Sequence, residues 1–197
     1  AVIIGALTVA AAASMATDPK TIACADVMRG IEQKLTAWEN DHEGYIISAN
    51  DNGKVWGRQL INGGYFDQTE LYNRNMPKNF ECPAETRVRT LDNGKKLAHP
   101  SANIVTSYDY GLNWATHAKL SGKVQKTVKR SEISNPSLQM RMMEGEKFAF
   151  THTAPERTAR HGQDASNILY ADGHVAFVDV VPVKGTANYS RKFWFNR

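Results

Sequence analysis

Five side chains able to ligate a metal or move a proton fall close together in the C-terminal part of the chain: His161, Asp164, Asp172, His174 and Asp179. An imidazole beside carboxylates can pass a proton or bind a divalent cation. Calcium takes about six to eight oxygens, carboxylates and carbonyls among them. Asp164 and Asp172 are the carboxylates such an ion would use, but no DxDxDG-like loop accompanies them. Zinc demands a tighter His/Cys/Asp set, and the two cysteines, Cys24 and Cys82, stand far away in sequence. The simpler reading of the same residues is that Asp172-Gly173 builds a hairpin turn while His161 hydrogen-bonds nearby backbone. The chain has no Gly-rich phosphate loop, no Gly-x-Ser-x-Gly elbow and no HExxH. The expectation is therefore a protein that is not an enzyme and needs no cofactor.

The elements that must carry these residues are a helix and a loop-rich head. Ile168-Leu169-Tyr170-Ala171, then Asp172-Gly173, then Val175-Ala176-Phe177-Val178 reads as a β-hairpin. From Lys20 to about Asn40 the pattern is helical, with Met28, Ile31, Leu35 and Trp38 in one apolar stripe and Arg29, Glu32, Gln33, Lys34 and Glu39 on other faces. Thr17 or Asp18 can cap this helix, Pro19 suits its first turn, and Gly44 can close it after Asp41-His42-Glu43. Tyr45-Ile46-Ile47 and Val55-Trp56 look extended around Asn50-Asp51-Asn52-Gly53, while Asn62-Gly63-Gly64 and Asp92-Asn93-Gly94 mark turns.

The chain has 197 residues, 42% of them apolar, and a net charge of +4. That suits one domain with an appendage and excludes wholesale disorder. Basic residues are scattered, and the run Lys123 to Arg130 is short, lacks aromatics and reads as solvated surface; no nucleic-acid role is expected. Ala1 to Ala16 is different in kind, with no charge at all. A membrane helix needs about 20 apolar residues, so the run is slightly short. It could be a signal-peptide remnant, with "ASMA" imitating a cleavage site; a buried core helix; or a helix that anchors in the bilayer and later packs against copies of itself. Its Ala and Gly content suits the last, because small side chains let helices approach closely in apolar surroundings.

Four stretches resemble one family, the prepilin-type proteins of planctomycete and verrucomicrobial kind, which pair a processed pilin N-terminus with a C-terminal His and Asp-Gly signature. They are Cys24-Ala25-Asp26-Val27-Met28-Arg29 through Trp38 and Asp41 to Gly44-Tyr45; Phe80-Glu81-Cys82-Pro83-Ala84-Glu85; Ser107-Tyr108-Asp109-Tyr110-Gly111-Leu112-Asn113-Trp114; and Arg160-His161-Gly162 followed by Asn167-Ile168-Leu169-Tyr170-Ala171-Asp172-Gly173-His174-Val175. Two departures stand out. Pilins of this kind begin with an N-methylated aromatic residue and carry Glu at the fifth position, where this chain has Gly5; the expectation is that residues are missing before Ala1. His161 and Asp172 are separated by ten residues where the family has nine, which puts any carried-over site geometry in doubt.

The resemblance implies an α+β, pilin-like fold: a long N-terminal helix packed on a small antiparallel sheet head with long loops. Residues 1–17 would be the membrane anchor and later filament core, with Val2, Ile3, Ile4, Leu7, Val9 and Met15 as packing residues. Residues 18–44 would be the amphipathic continuation, and residues 45–197 the head. It implies a filament subunit, pilin or pseudopilin, that forms a homopolymer, waits in the inner membrane, and depends on a prepilin peptidase and an assembly ATPase before reaching the periplasm or cell surface. In an exported protein Cys24 and Cys82 pair most simply as a disulfide, with two free buried thiols as the alternative. Related major pseudopilins of type II secretion hold calcium in a C-terminal loop, which is what keeps Asp164 and Asp172 as calcium candidates. Two rival readings remain: a soluble secreted or periplasmic binding domain with a signal-peptide remnant, and a metal-dependent hydrolase built on His161, Asp164 and His174.

Overall fold

The structure is a computed structural model that describes residues 18–51, 54–67, 69, 71–73, 76–77, 84, 89–90, 96–97, 110–113, 128–144, 149–150, 161 and 165–179. The segment 1–17, with its six packing candidates, lies outside the described residues, as do Cys82, Asp164, the Asp92-Asn93-Gly94 turn and residues 123–127. The fold is α+β.

Helix α1 runs Pro19–Asp41. Asp18 caps it, its carboxylate accepting from the N–H groups of Lys20 and Thr21 at 3.0 and 3.1 Å, and Pro19 occupies the first turn where no N–H is missed. At the other end the chain turns over through Glu43 and Gly44, both at positive φ, and the Gly44 N–H returns to the Glu39 carbonyl at 2.8 Å. The buried face carries Thr21, Cys24, Ala25, Met28, Ile31, Glu32, Leu35 and Glu39, spaced by one, three or four residues. Met28, Ile31 and Leu35 form the apolar part of that stripe as expected, with Trp38 partly buried beside them. Burying side chains of this size favours folding by roughly 1.5–3 kcal/mol each.

Short ribbons follow. Strand β1 (Asn50–Asp51) pairs with β2 (Lys54–Val55), and the chain then enters helix α2, Trp56–Asn62. Val55-Trp56 is thus not one extended piece. Trp56 and Leu60, one helical turn apart, both enter the core, and the Gln59 side-chain amide donates to the carbonyls of Ser48 and Lys54 to brace that entry. The Asn62-Gly63-Gly64 turn is confirmed, with Gly64 at φ 79°. Strand β3 (Leu71–Asn73) pairs antiparallel with β4 (Met76–Pro77), and β5 (Arg89–Thr90) with β6 (Lys96–Leu97).

The main sheet joins β7 (Tyr110–Asn113), β8 (Met140–Glu144), β9 (Ala149–Phe150), β10 (Ser166–Tyr170) and β11 (Val175–Val178) in the order β11-β10-β8-β7-β9. All pairings are antiparallel except β7 with β9. The β10–β11 hairpin is the one expected, turning through Asp172 and Gly173. Helix α1 packs across this sheet, and Met142 of β8 and Leu169 of β10 meet Cys24, Met28, Ile31 and Leu35 in one core with Trp56 and Leu60.

One irregularity decides what the helix meets. Between β8 and β10 the register runs Ile168 with Met143 and Leu169 with Met142, then jumps to Tyr170 with Met140. Arg141 is the unopposed residue, a β-bulge that breaks the strict in–out alternation. Met142 and Glu144, two apart, face α1 together; the bulge turns Arg141 to that face as well, where regular pleating would send it to the other.

Candidate functional site

The face between α1 and the sheet contains two polar centres set in apolar surroundings. Toward the C-terminal half of α1, Glu32 and Glu39 meet Arg141 and Arg130. Arg141 Nη1 lies 2.9 Å from Glu32 Oε1, to which it donates, and 2.8 Å from Oε2, which it holds by charge alone. Arg141 Nη2 donates to Glu39 Oε1. Arg130 donates from Nη2 to Glu32 at 2.8 Å, from Nη1 to Glu39 at 3.3 Å and to Thr36 Oγ1 at 3.1 Å, and from Nε to the Ala171 carbonyl at 2.9 Å. Two carboxylates and two guanidiniums balance. Arg130 is therefore no solvated surface residue, and Glu32 and Glu39 are buried on the helix face that packs inward.

Electrostatics sets the cost. At an effective dielectric near 20 each close ion pair is worth about 4 kcal/mol, while desolvation costs several kcal/mol per ion. Burial pushes the Glu39 carboxyl above its ordinary range even though Arg141 and Arg130 pull it down. Burial likewise lowers the Arg141 guanidinium against the opposing pull of Glu32 and Glu39. The cluster specifies how helix and sheet meet more than it stabilises them.

At the helix start the second centre gathers Thr21, Cys24, Glu144, His161, Ser166 and Asn167, all buried. Glu144 sits at the end of β8 and accepts four hydrogen bonds: from the Asn167 N–H at 3.0 Å, the Asn167 side-chain amide at 3.0 Å, the Ser166 hydroxyl at 3.3 Å and His161 Nε2 at 3.1 Å. The Asn167 amide also donates to the Thr21 carbonyl at 3.0 Å. His161 Nδ1 lies 2.9 Å from Thr21 Oγ1, and that hydroxyl is 3.5 Å from the Asp18 cap. With Nε2 protonated toward Glu144, Nδ1 accepts from the Thr21 hydroxyl. Every member except Cys24 is thus held by hydrogen bonds inside this centre, as buried polar groups must be.

Of the five residues grouped by sequence, the four described, His161, Asp172, His174 and Asp179, do not share one site. His161 bonds side chains of α1 and β8 rather than nearby backbone. Asp172 lies on the hairpin turn, where its Oδ1 accepts the His174 N–H at 3.1 Å and faces His174 Nδ1 at 2.6 Å. Burial alone would raise the Asp172 carboxyl, but the His174 hydrogen bonds outweigh it and hold it below the usual range. His174 stacks on Tyr170 with ring centroids 4.3 Å apart, and Asp179 is exposed.

Sequence spacing gave no hint that Cys24 belongs with His161. Among the described residues, the one group of metal-capable donors is Cys24, Glu144 and His161, whose ligand atoms lie within 4.8 Å of one another. Cys24 is disulfide-bonded, so its sulfur is not a thiolate and the group offers two free donors in this state. The pairing expected for Cys24 is consistent with that bond, the chain holding one other cysteine, Cys82.

His161 and the Asp172-Gly173 turn therefore both abut α1. His161 meets its first turn at Thr21. Gly173 meets it at Glu32, where a Cβ on the glycine would stand 3.4 Å from Glu32 Oε1 and 3.3 Å from Arg130 Nη2. The two levels are eleven residues apart on the helix, or about 16 Å at 1.5 Å per residue. Among the described residues no helix is long and apolar enough to cross a membrane. The chain matches no family model, no curated protein and no solved structure.

Proposed function

We propose that this chain is the structural subunit, pilin or pseudopilin, of a bacterial type IV pilus-like or type II secretion-like filament, and that it does no catalysis. The observation that carries the reading is the grip of the head on α1. A helix that follows an uncharged segment, Ala1 to Ala16, is bonded to the head at two levels, by His161 at Thr21 and by Arg130 and Arg141 at Glu32 beside the Asp172-Gly173 turn. A pilin-like subunit needs this arrangement, because the helix must carry the head rigidly when its other end leaves lipid for the filament.

On this reading the subunit waits in the inner membrane with residues 1–17 in lipid. A prepilin peptidase processes it, and an assembly ATPase drives its transfer into a growing bundle at the periplasmic face or cell surface. Copies join head to tail in an open helical array. Outside lipid, each Å² of apolar segment left in water would cost roughly 25 cal/mol, so the segments pack against each other.

Electron microscopy of material from cells making the full precursor tests this. Regular filaments are expected, and Leu7→Glu should abolish them while leaving the unfolding transition of the head unchanged. Material that is monomeric under every condition of isolation would sink the proposal.

A further inference from the structure

The geometry points to a latent zinc site at Cys24, Glu144 and His161, closed while Cys24 is disulfide-bonded and opened when that bond is reduced. This inference stands apart from the filament reading and rests on the helix-start centre alone.

Three donor types that zinc favours, a sulfur, an imidazole and a carboxylate, have ligand atoms within 4.8 Å of one another at buried positions. His161 Nε2 and Glu144 Oε1 are 3.1 Å apart. Two ligands about 2.0–2.1 Å from a tetrahedral zinc lie roughly 3.3 Å apart, so this pair already spans one edge of such a site. Cys24 needs only to draw inward, and α1 places it one turn after Thr21 on the same buried face.

The outer hydrogen bonds are also in place. Zinc on Nε2 requires the imidazole proton on Nδ1, and a metal-bound histidine is ordinarily held there by an acceptor. Thr21 Oγ1 stands 2.9 Å from Nδ1 and can pass its own proton toward Asp18 Oδ2, 3.5 Å away. Glu144 keeps the Ser166 hydroxyl and the Asn167 N–H on Oε2, and Oε1, which keeps the Asn167 side-chain amide, offers the ion the lone pair that now faces His161. The ring turns from one tautomer to the other without leaving its slot.

The chemistry balances. A trialkylphosphine breaks the S–S bond and is oxidised to its oxide; water supplies the oxygen and the two protons that complete the two thiols. Zinc then replaces the Cys24 thiol proton, which leaves to solvent, while the His161 proton moves from Nε2 to Nδ1.

The test uses the full chain, oxidised or phosphine-reduced, with zinc chloride as the probe. A chromogenic chelator in competition reads affinity, and cobalt(II) in place of zinc reads thiolate ligation through its near-ultraviolet charge-transfer band. Reduced protein should take up one zinc, show the cobalt–thiolate band and melt at higher temperature with zinc, whereas oxidised protein should do none of these. His161→Gln should abolish the uptake. Thr21→Val, which touches no ion, should weaken it about 10–100-fold and leave the cobalt band in place. The inference is overturned if folded reduced protein binds no zinc, if His161→Gln or Thr21→Val binds as tightly as the parent, or if reduction unfolds the chain even with zinc present.

Discussion

Arg141 and Glu39 face each other across the helix–sheet interface, with side chains only 2% and 3% exposed, because a one-residue slip in the β8–β10 register turns the arginine toward α1. Both charges are buried, so Arg141 is the chief compensation for Glu39, while Glu32 and Glu39 together compensate Arg141. Arg130 and Glu32 complete the balance.

Removing one member should therefore cost far more than removing a pair. Arg141→Leu leaves two buried carboxylates facing Arg130 alone and should lose about 3–5 kcal/mol of stability. Arg141→Leu with Glu39→Leu leaves Glu32 matched to Arg130, and most of that loss should return. Urea unfolding of the parent, Arg141→Leu, Glu39→Leu and the double variant closes the cycle. A double variant no more stable than Arg141→Leu would show that the charges are not compensating each other.

Glu39 also sets a pH dependence. Its folded pKa is raised above the ordinary 4.5, mainly by burial. A raised carboxyl favours the native state fully below the unfolded pKa and loses that contribution as pH rises through the folded value. Glu39→Gln, which mimics the protonated form, should thus gain on the parent as pH rises above the ordinary 4.5. Denaturation midpoints at matched pH give the comparison, and a gap that closes with rising pH contradicts it.

The α+β class and two elements were legible in the sequence because those elements are local. The three- and four-residue spacing of Met28, Ile31 and Leu35 gave α1, and Asp172-Gly173 between apolar runs gave the hairpin. What was not legible depends on long-range pairing. A β-bulge has no signature in "MRMME", so Arg141 could not be aimed at Glu39, and Glu32 and Glu39 read as ordinary polar helix residues. Arg130 closes the Lys123–Arg130 run, whose scattered charges read as surface. Val55-Trp56 looked extended because β-branched and aromatic residues favour strands, whereas burial of Trp56 and Leu60 one turn apart made Trp56 the start of a helix. His161 stands out by residue type, but its partners, Thr21 and Glu144, lie 140 and 17 residues away.

Two glycines should respond oppositely to alanine. Gly173 has φ 97° and its missing Cβ would crowd Arg130 and Glu32, so Gly173→Ala should cost about 1–3 kcal/mol. Gly30 lies inside α1 with nothing within 4 Å of its would-be Cβ, and Gly30→Ala should gain about 0.5–1 kcal/mol. Thermal melts of the two single variants are enough; the same sign for both would contradict the assigned turn.

Tyr65 should titrate late. Burial first, and its 2.9 Å hydrogen bond to Asp41 second, push its phenol from 10.0 to about 12. Its contribution to stability is therefore present below pH 10 and lost as pH rises through about 12. Ultraviolet difference absorbance should show a phenolate step near that value, absent from Tyr65→Phe. An unchanged titration curve in Tyr65→Phe would refute the assignment.

The crowding of polar bonds at the first turn of α1 has a mechanical side. Thr21 is tied to Asn167 through its carbonyl and to His161 through its hydroxyl, and Cys24, one turn on, is tied covalently. Tension entering the chain at Asp18 is delivered to these attachments within six residues, before it reaches Glu32 or Glu39. The force then runs from the helix into the central strands β10 and β8 through Asn167 and Glu144. The helix beyond Cys24 then receives only what those attachments pass on.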